Sequence, residues 1–499
     1  MALMFSKPQN IIPVDKRLRL YNQYPGCYSN FQAMTQDLPR IKAMGFNQVW
    51  VNPFYENCKE NTINPQKINC PYAMRDHHKL NAEYGDGFRD VQKYTNRAKE
   101  LGLIPLFDLV ARHVAIDHPF VKGEPKLLSA GIDTRTWFKR HPNGNFVIKG
   151  MDENYKPTSD DPWSDVVEFD YQDPKIRQEI FDYFWKPFID FNIKNLGFLG
   201  ARLDAVGQIP REAHEMLLPY IDKVCQQTHG RRAYLVAETV GLRYIDKDMV
   251  IKGLVTHTMN SAYWMPGPEG SEEYNYDLWK DDDNVFARGK KTLQAAAPTA
   301  GHAGSHDEPR YADLLKKKGI TSQSHLRQRM LEQIMVSAFN SDGGHILAYG
   351  DEYGITDRVD LFHRKVIDVK NPQFDLSQEI LEINTILRQL PAPTQFEWTQ
   401  RVFCEKHPEL VIFIVHQEKN KFEKSHIIIG NSLHKQGKEI LLDQALLDEI
   451  LTANGRNSRP QNFTGKLYLF PNIQPAPALN NEVMSSCKNE RKTRKLASF

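Results

Sequence analysis

Short apolar runs alternate with longer stretches of helical periodicity along the chain up to about residue 390. Over 86–101, Phe88, Val91, Tyr94 and Ala98 recur at helical spacing and the pattern stops at Gly102, which predicts an amphipathic helix. Residues 31–44 read the same way and end at Gly45. Residues 174–194 and 210–228 predict two more helices, each opened by a proline, which suits a helix's first turn. Residues 326–339 predict another. The runs between helices read as strands: 17–23, 48–52 (halted by Pro53), 253–259 and 345–349. Three more end in Asp108, Asp204 and Glu238, each preceded by a turn with a glycine: Gly102, Gly197 and Gly230. With the segment ending in Gly304-Ser305-His306-Asp307 there are enough strands for a closed (β/α)8 barrel, because the alternation implies a parallel α/β architecture.

In such a barrel the strands' C-terminal ends share one face, where the chemistry of this architecture sits. Carboxylates gathered there are costly to desolvate, so their repetition calls for a functional reason. The spacing supports a single barrel. Asp204 and Glu238 stand about one βαβ repeat (~30 residues) apart, and Glu238 and Asp307 about two. Asp108 and Asp204 are separated by one repeat plus an insertion.

That insertion, 114–165, is rich in proline and glycine and reads as an irregular lobe on the active face, within a barrel formed by 1–113 and 166–394. Beyond it, 395–478 shows short alternating runs that predict a C-terminal antiparallel β-sandwich domain. Residues 479–499 form a basic tail expected to be disordered.

Charge narrows the partners. With 64 Lys and Arg against 62 Asp and Glu, the net charge of +2 leaves no electrostatic footprint for nucleic acid. Six cysteines lack metal-ligand spacing and are expected to be reduced thiols, with Cys58 and Cys70 the one pair placed to close a loop. The first residues carry neither a charged leader nor a long apolar stretch, so a cytoplasmic protein without a membrane span is expected.

The four carboxylate-bearing segments, in this order, resemble the conserved regions of the α-amylase family, glycoside hydrolase family 13. The likeness extends to residues 45–53, to Tyr72-Ala73-Met74-Arg75-Asp76 with Tyr84-Gly85-Asp86, and to Gly350-Asp351-Glu352-Tyr353-Gly354. It covers roughly 17–390. The resemblance implies an α-glucan or oligosaccharide substrate, with Asp204 as nucleophile and Glu238 as acid/base. Asp307 would be a carboxylate gripping sugar hydroxyls. It further implies that His113 and His306 donate to the sugar being cleaved and that Tyr72 offers it an aromatic face. Asp108 would stand behind Arg202 and hold the site together.

Elementary chemistry agrees with those roles. Opening an acetal needs an acid for the leaving oxygen and an anion at the anomeric carbon, and a retaining mechanism wants the two carboxyls about 5–5.5 Å apart. Arg202 precedes Asp204 by two positions, so both side chains leave the strand on the same side and the guanidinium holds Asp204 ionised. Glu238 must stay protonated, which burial among like charges achieves.

Several polar and aromatic residues carry weaker expectations. Trp50, Trp137, Trp163 and Trp185 are possible sugar platforms, with Trp50 and Trp185 expected in the core and Trp163 at a distal subsite. Asp165 is expected to hydrogen-bond within the lobe, and Asp351 and Glu352 to be ordinary loop charges.

Two departures from the family pattern bear on function. Arg112 stands where many members have an asparagine that ligates structural calcium, and a guanidinium has donors only, so no metal or cofactor is expected. Gly207 and Gln208 replace a Lys-His pair of starch endohydrolases. Hydrolysis of α-glucosidic bonds therefore heads the expectations. Glucosyl or maltosyl transfer follows, and then a non-catalytic glucan-binding role on the same fold.

Overall fold

The computed structural model describes residues 17–239, 253–260, 264–266, 272–274, 299–302, 304–307, 309–339, 343–369 and 371–392. Further on it describes 398–402, 407, 410–416, 425–431, 440–442, 444–453, 467–470 and 473–475. The basic tail lies outside these.

Eight parallel strands close a barrel: β1 (Leu18–Gln23), β2 (Gln48–Val51), β3 (Ile104–Leu109), β4 (Gly200–Leu203), β5 (Tyr234–Thr239), β6 (His257–Asn260), β7 (Thr299–His302) and β8 (Gly344–Ala348). Each pairs with its sequence neighbours, and β8 pairs with β1. Leu20, Trp50, Leu106, Val236, Met259 and Ile346 fill the interior. Gly200 is needed where β4 begins: its φ is 155°, and a Cβ would sit 2.0 Å from the carbonyl oxygen of Tyr234 on β5.

The helices pack outside. Phe31–Ala43 starts at Asn30, whose side chain accepts the Ala33 N–H (2.9 Å), and Phe88–Glu100 buries the expected Val91, Tyr94 and Ala98. The helix expected over 174–194 continues to Asn195 but is widened twice, by π turns at Phe181–Trp185 and Phe191–Asn195. Pro187 lies beside the first of them. Its ring would crowd the Tyr183 carbonyl of a regular helix and it has no N–H to give, and a wider turn relieves both.

The lobe leaves and rejoins the barrel through one antiparallel pair, His113–Ala115 with Val166–Glu168. At the C-terminal side, β9 (Trp398–Val402), β10 (Leu410–His416), β11 (His426–Asn431) and β12 (Leu467–Phe470) form a sheet. Its pairing is mixed, since β12 runs parallel to β11, and a helix Gln444–Ala453 that sequence periodicity did not suggest covers one face. Strand β10 is buried on both sides, with Leu410, Ile412 and Ile414 toward that helix and Val411, Phe413 and Val415 toward the barrel. Among the described residues no helix is long and apolar enough to cross a membrane.

Candidate active site

Strand register places the carboxylates before any side-chain contact is considered. Asp108 on β3 lies opposite Arg202 on β4, and Leu203 opposite Ala237, so the next pair up the barrel is Asp204 and Glu238. Alternation then aims Asp108, Arg202, Asp204 and Glu238 at the same axial space.

Arg202 is the hub. It is 1% exposed, and one guanidinium serves three carboxylates. Nη1 donates to Asp108 Oδ1 (3.0 Å) and to Asp204 Oδ1 (2.7 Å), while Nη2 donates to Glu238 Oε1 (2.5 Å). The sequence expectation had Arg202 serving Asp204; here it holds Glu238 as well. One rigid fork thus bridges the Asp204 and Glu238 carboxyls. The indole of Trp50 stacks beneath the guanidinium (4.8 Å) and donates to Asp108 Oδ2 (3.1 Å), so this core tryptophan also orients the site.

A feature invisible in the sequence sits just past β4. Ala205 adopts φ 44° and ψ 44°, a left-handed conformation unfavourable for a residue with a Cβ. That twist turns its N–H toward Glu238 Oε2 (2.8 Å).

One cation cannot neutralise so many acids. Burial is the first cause raising the Glu238 carboxyl above its ordinary value, and Asp204 and Asp307 add to it against the pull of Arg202 and the Ala205 N–H. Asp204 is likewise raised by burial and opposed by Arg202, and Asp108 is pushed up to about 7. Asp108 is thus the carboxyl pushed closest to neutrality, and Glu238 is shifted in the same direction. Asp307 lies beyond the end of β7 with its side chain 45% exposed, the most open of the four.

A second network braces the opposite wall. The Tyr72 hydroxyl donates to Asp108 Oδ2 (3.0 Å) and lies 2.7 Å from His306 Nε2, and Asn52 donates to Tyr72 Oη (2.9 Å). Asn22 holds Asn52 in turn (2.7 Å). Sequence reasoning missed both asparagines, although Asn52 ends the β2 segment that carries the family resemblance. Tyr72 was expected to offer an aromatic face to the sugar. Its ring lies parallel to that of His306, with centroids 5.3 Å apart and the hydroxyl on the His306 ring nitrogen. His306 is buried and contacts Asp307 Oδ1 (3.3 Å). Burial first, then Arg202, lowers its pKa to about 3, leaving a neutral ring. His113, also buried and lowered to about 3, meets the edge of Trp163 (5.8 Å) and has the Tyr72 backbone as polar neighbour.

The profile of the α-amylase catalytic domain matches residues 19–425. The chain belongs to the α-amylase family. A β/α-amylase of Paenibacillus polymyxa is 22% identical over 455 residues, 85% of this chain and 33% of that protein. An α-1,4-glucan:maltose-1-phosphate maltosyltransferase of Methylacidiphilum infernorum is 24% identical over 31% of the chain and 22% of its own length. The chain spans a third or less of these curated relatives. Among solved structures, a noncanonic maltogenic α-amylase of Thermotoga neapolitana superposes with a TM-score of 0.60 at 18% identity, covering 84% of this chain and 86% of that one. The trehalose-6-phosphate hydrolase of Bacillus licheniformis gives 0.59 at 14%, with 84% and 91% covered.

The family's calcium position is occupied differently in this α-amylase relative. Arg112 donates to Glu168 Oε1, and Lys139 donates to Glu168 Oε2 (2.9 Å), so two cations converge where a metal's oxygen ligands would be needed. That donor set does not fit a cation. Beside it, Arg112, Lys139, Gln208 and Pro210 line a hollow of about 20 Å³, room for roughly one water.

The remaining expectations sort by burial. Trp137 is fully buried with its indole on Glu179 (3.2 Å) and is no sugar platform; Trp50 and Trp185 are core. Trp163 is partly exposed, but its ring carries Lys149 (3.8 Å) and Arg112 (4.8 Å), so it braces the lobe's base. Asp165 is buried, and burial raises it to about 6. Asp351 and Glu352 are not ordinary loop charges: both are buried, paired to Arg310 (3.0 Å) and Arg40 (2.6 Å). Cys58 and Cys70 are free and buried.

Proposed function

We propose that the protein is a retaining glycosidase acting on α-glucosidic bonds. The observation that carries this reading is the single buried guanidinium holding Asp204 on one nitrogen and Glu238 on the other. Asp204 attacks the anomeric carbon as the bond to the leaving oxygen breaks, and the Glu238 proton passes to that oxygen. Glu238, now a carboxylate, takes a proton from an incoming hydroxyl whose oxygen displaces Asp204. Arg202 keeps Asp204 anionic for the attack and takes up the charge of Glu238 once its proton has gone. Asp307, the exposed carboxylate, faces the sugar hydroxyls, with His306 behind it.

Water or a second sugar can supply that hydroxyl. Partial similarity to a maltosyltransferase and the Gly207-Gln208 pair support transfer as the second reading. Incubation with maltoheptaose and chromatography of the products separates them. Hydrolysis yields only shorter sugars, transfer yields longer ones, and no change in any α-glucan or oligosaccharide would leave a binding role.

The lobe is proposed to need no calcium, because Arg112 supplies the positive charge at its base. Dialysis against EDTA is expected to leave Tm and activity unchanged. Arg112→Ala, which strips the mostly buried Glu168 of one partner, is expected to cost about 3 kcal/mol in urea unfolding. A fall in Tm on chelation, restored by calcium alone, would refute this.

A further inference from the structure

Building on the proposed function, we infer that Asn22 and Asn52 are positioning residues that fix which ring nitrogen of His306 carries its hydrogen, setting an Nε2–H donor beside Asp307. Both asparagines are buried, Asn22 on β1 and Asn52 just past the end of β2.

The direction of every hydrogen bond follows from one backbone group. Asn22 lies opposite Trp50 in the pairing of β1 with β2, and its side chain reaches the Trp50 carbonyl (3.3 Å). A carbonyl oxygen only accepts, so the atom facing it is the Asn22 amide nitrogen. That nitrogen also donates to Asn52 Oδ1 (2.7 Å). With its oxygen taken by Asn22, Asn52 turns its own nitrogen the other way, to His306 Nδ1 (3.2 Å) and Tyr72 Oη (2.9 Å). Reversing Asn22 would set two oxygens against each other, and reversing Asn52 two N–H groups. In a buried place either leaves a polar atom without a partner.

Nδ1 therefore accepts. Burial keeps the His306 ring neutral, and a neutral imidazole has a single N–H. Its hydrogen is left on Nε2, which lies 2.7 Å from Tyr72 Oη and 3.3 Å from Asp307 Oδ1. Tyr72 closes the chain. Its oxygen accepts from Asn52 and from His306, and its one hydrogen goes to Asp108 Oδ2 (3.0 Å), which fills the capacity of a hydroxyl. The other tautomer would turn an Nε2 lone pair toward the Asp307 carboxylate and would offer no hydrogen to a sugar hydroxyl held there.

Asn52→Asp keeps the shape and still accepts from Asn22, but its second oxygen faces Nδ1 as an acceptor. The test is long-range proton–nitrogen NMR of protein carrying isotope-labelled histidine near neutral pH, with His306→Gln identifying the ring. Expected in the parent protein is a protonated Nε2 and a bare Nδ1. In Asn52→Asp, Nδ1 is expected to carry a hydrogen, and cleavage of maltoheptaose to slow by about 10–100-fold. Asn22→Ala frees Asn52 to turn and is expected to give a mixture of tautomers with a smaller loss of rate. A merely structural asparagine would leave the tautomer unchanged. A parent protein with its hydrogen on Nδ1 overturns the inference even where neither variant folds. So does an Asn52→Asp protein that keeps the Nε2–H form alone, or one that changes tautomer at full rate. The spectrum needs no substrate, so the expected tautomer in a protein inactive on every α-glucoside counts against the proposed function alone.

Discussion

Glu238→Gln is expected to slow cleavage of malto-oligosaccharides by about 10²–10⁴-fold while sparing α-glucosyl fluoride. The amide has nearly the shape of the acid and still accepts the Ala205 N–H, so the fold should hold, but it cannot give a proton to a sugar oxygen. Fluoride departs with little need of one. Asp204→Ala removes the attacking oxygen and is expected to abolish turnover of both substrates, since no leaving group compensates for a missing nucleophile. Steady-state rates on the two substrates decide the matter. Equal losses in Glu238→Gln on fluoride and oligosaccharide would remove its acid role, and parent-like activity of Asp204→Ala would remove the covalent mechanism altogether.

Arg202→Met should be the most destabilising single change. It leaves Asp108, Asp204 and Glu238 buried without their cation, and an uncompensated buried charge costs about 3–5 kcal/mol. The effect depends on pH with a definite sign. Burial raises these carboxyls in the native protein, Asp108 to about 7, against about 4 in the unfolded chain. The native state therefore holds its protons more tightly, and the cluster's contribution to stability is fullest at low pH and falls as pH rises from about 4 toward 7. Removing Arg202, which opposes that rise, pushes the folded values higher still. The gap in urea midpoint between parent and variant is expected to be small near pH 4 and to widen by pH 7. A gap that stays constant with pH would show that the guanidinium contributes packing rather than charge.

The chain carries its barrel openly. Helical spacing closed by Gly102, prolines opening helices at Pro174 and Pro210, and apolar runs ending in Asp108, Asp204 and Glu238 are local patterns, and local patterns survive in a sequence. The two-residue step from Arg202 to Asp204 likewise foretold their contact, because strand alternation is strictly short-range. What the sequence left open was everything set by packing between distant segments. Arg202 reaching Glu238, the Ala205 N–H meeting Glu238, Asn52 bracing Tyr72, and the Tyr72 hydroxyl meeting His306 all join residues from different strands or loops. Strand order and residue type named the acids, through periodicities that act over a few residues. How far each acid is shifted depends on burial and on contacts made only once the barrel has closed.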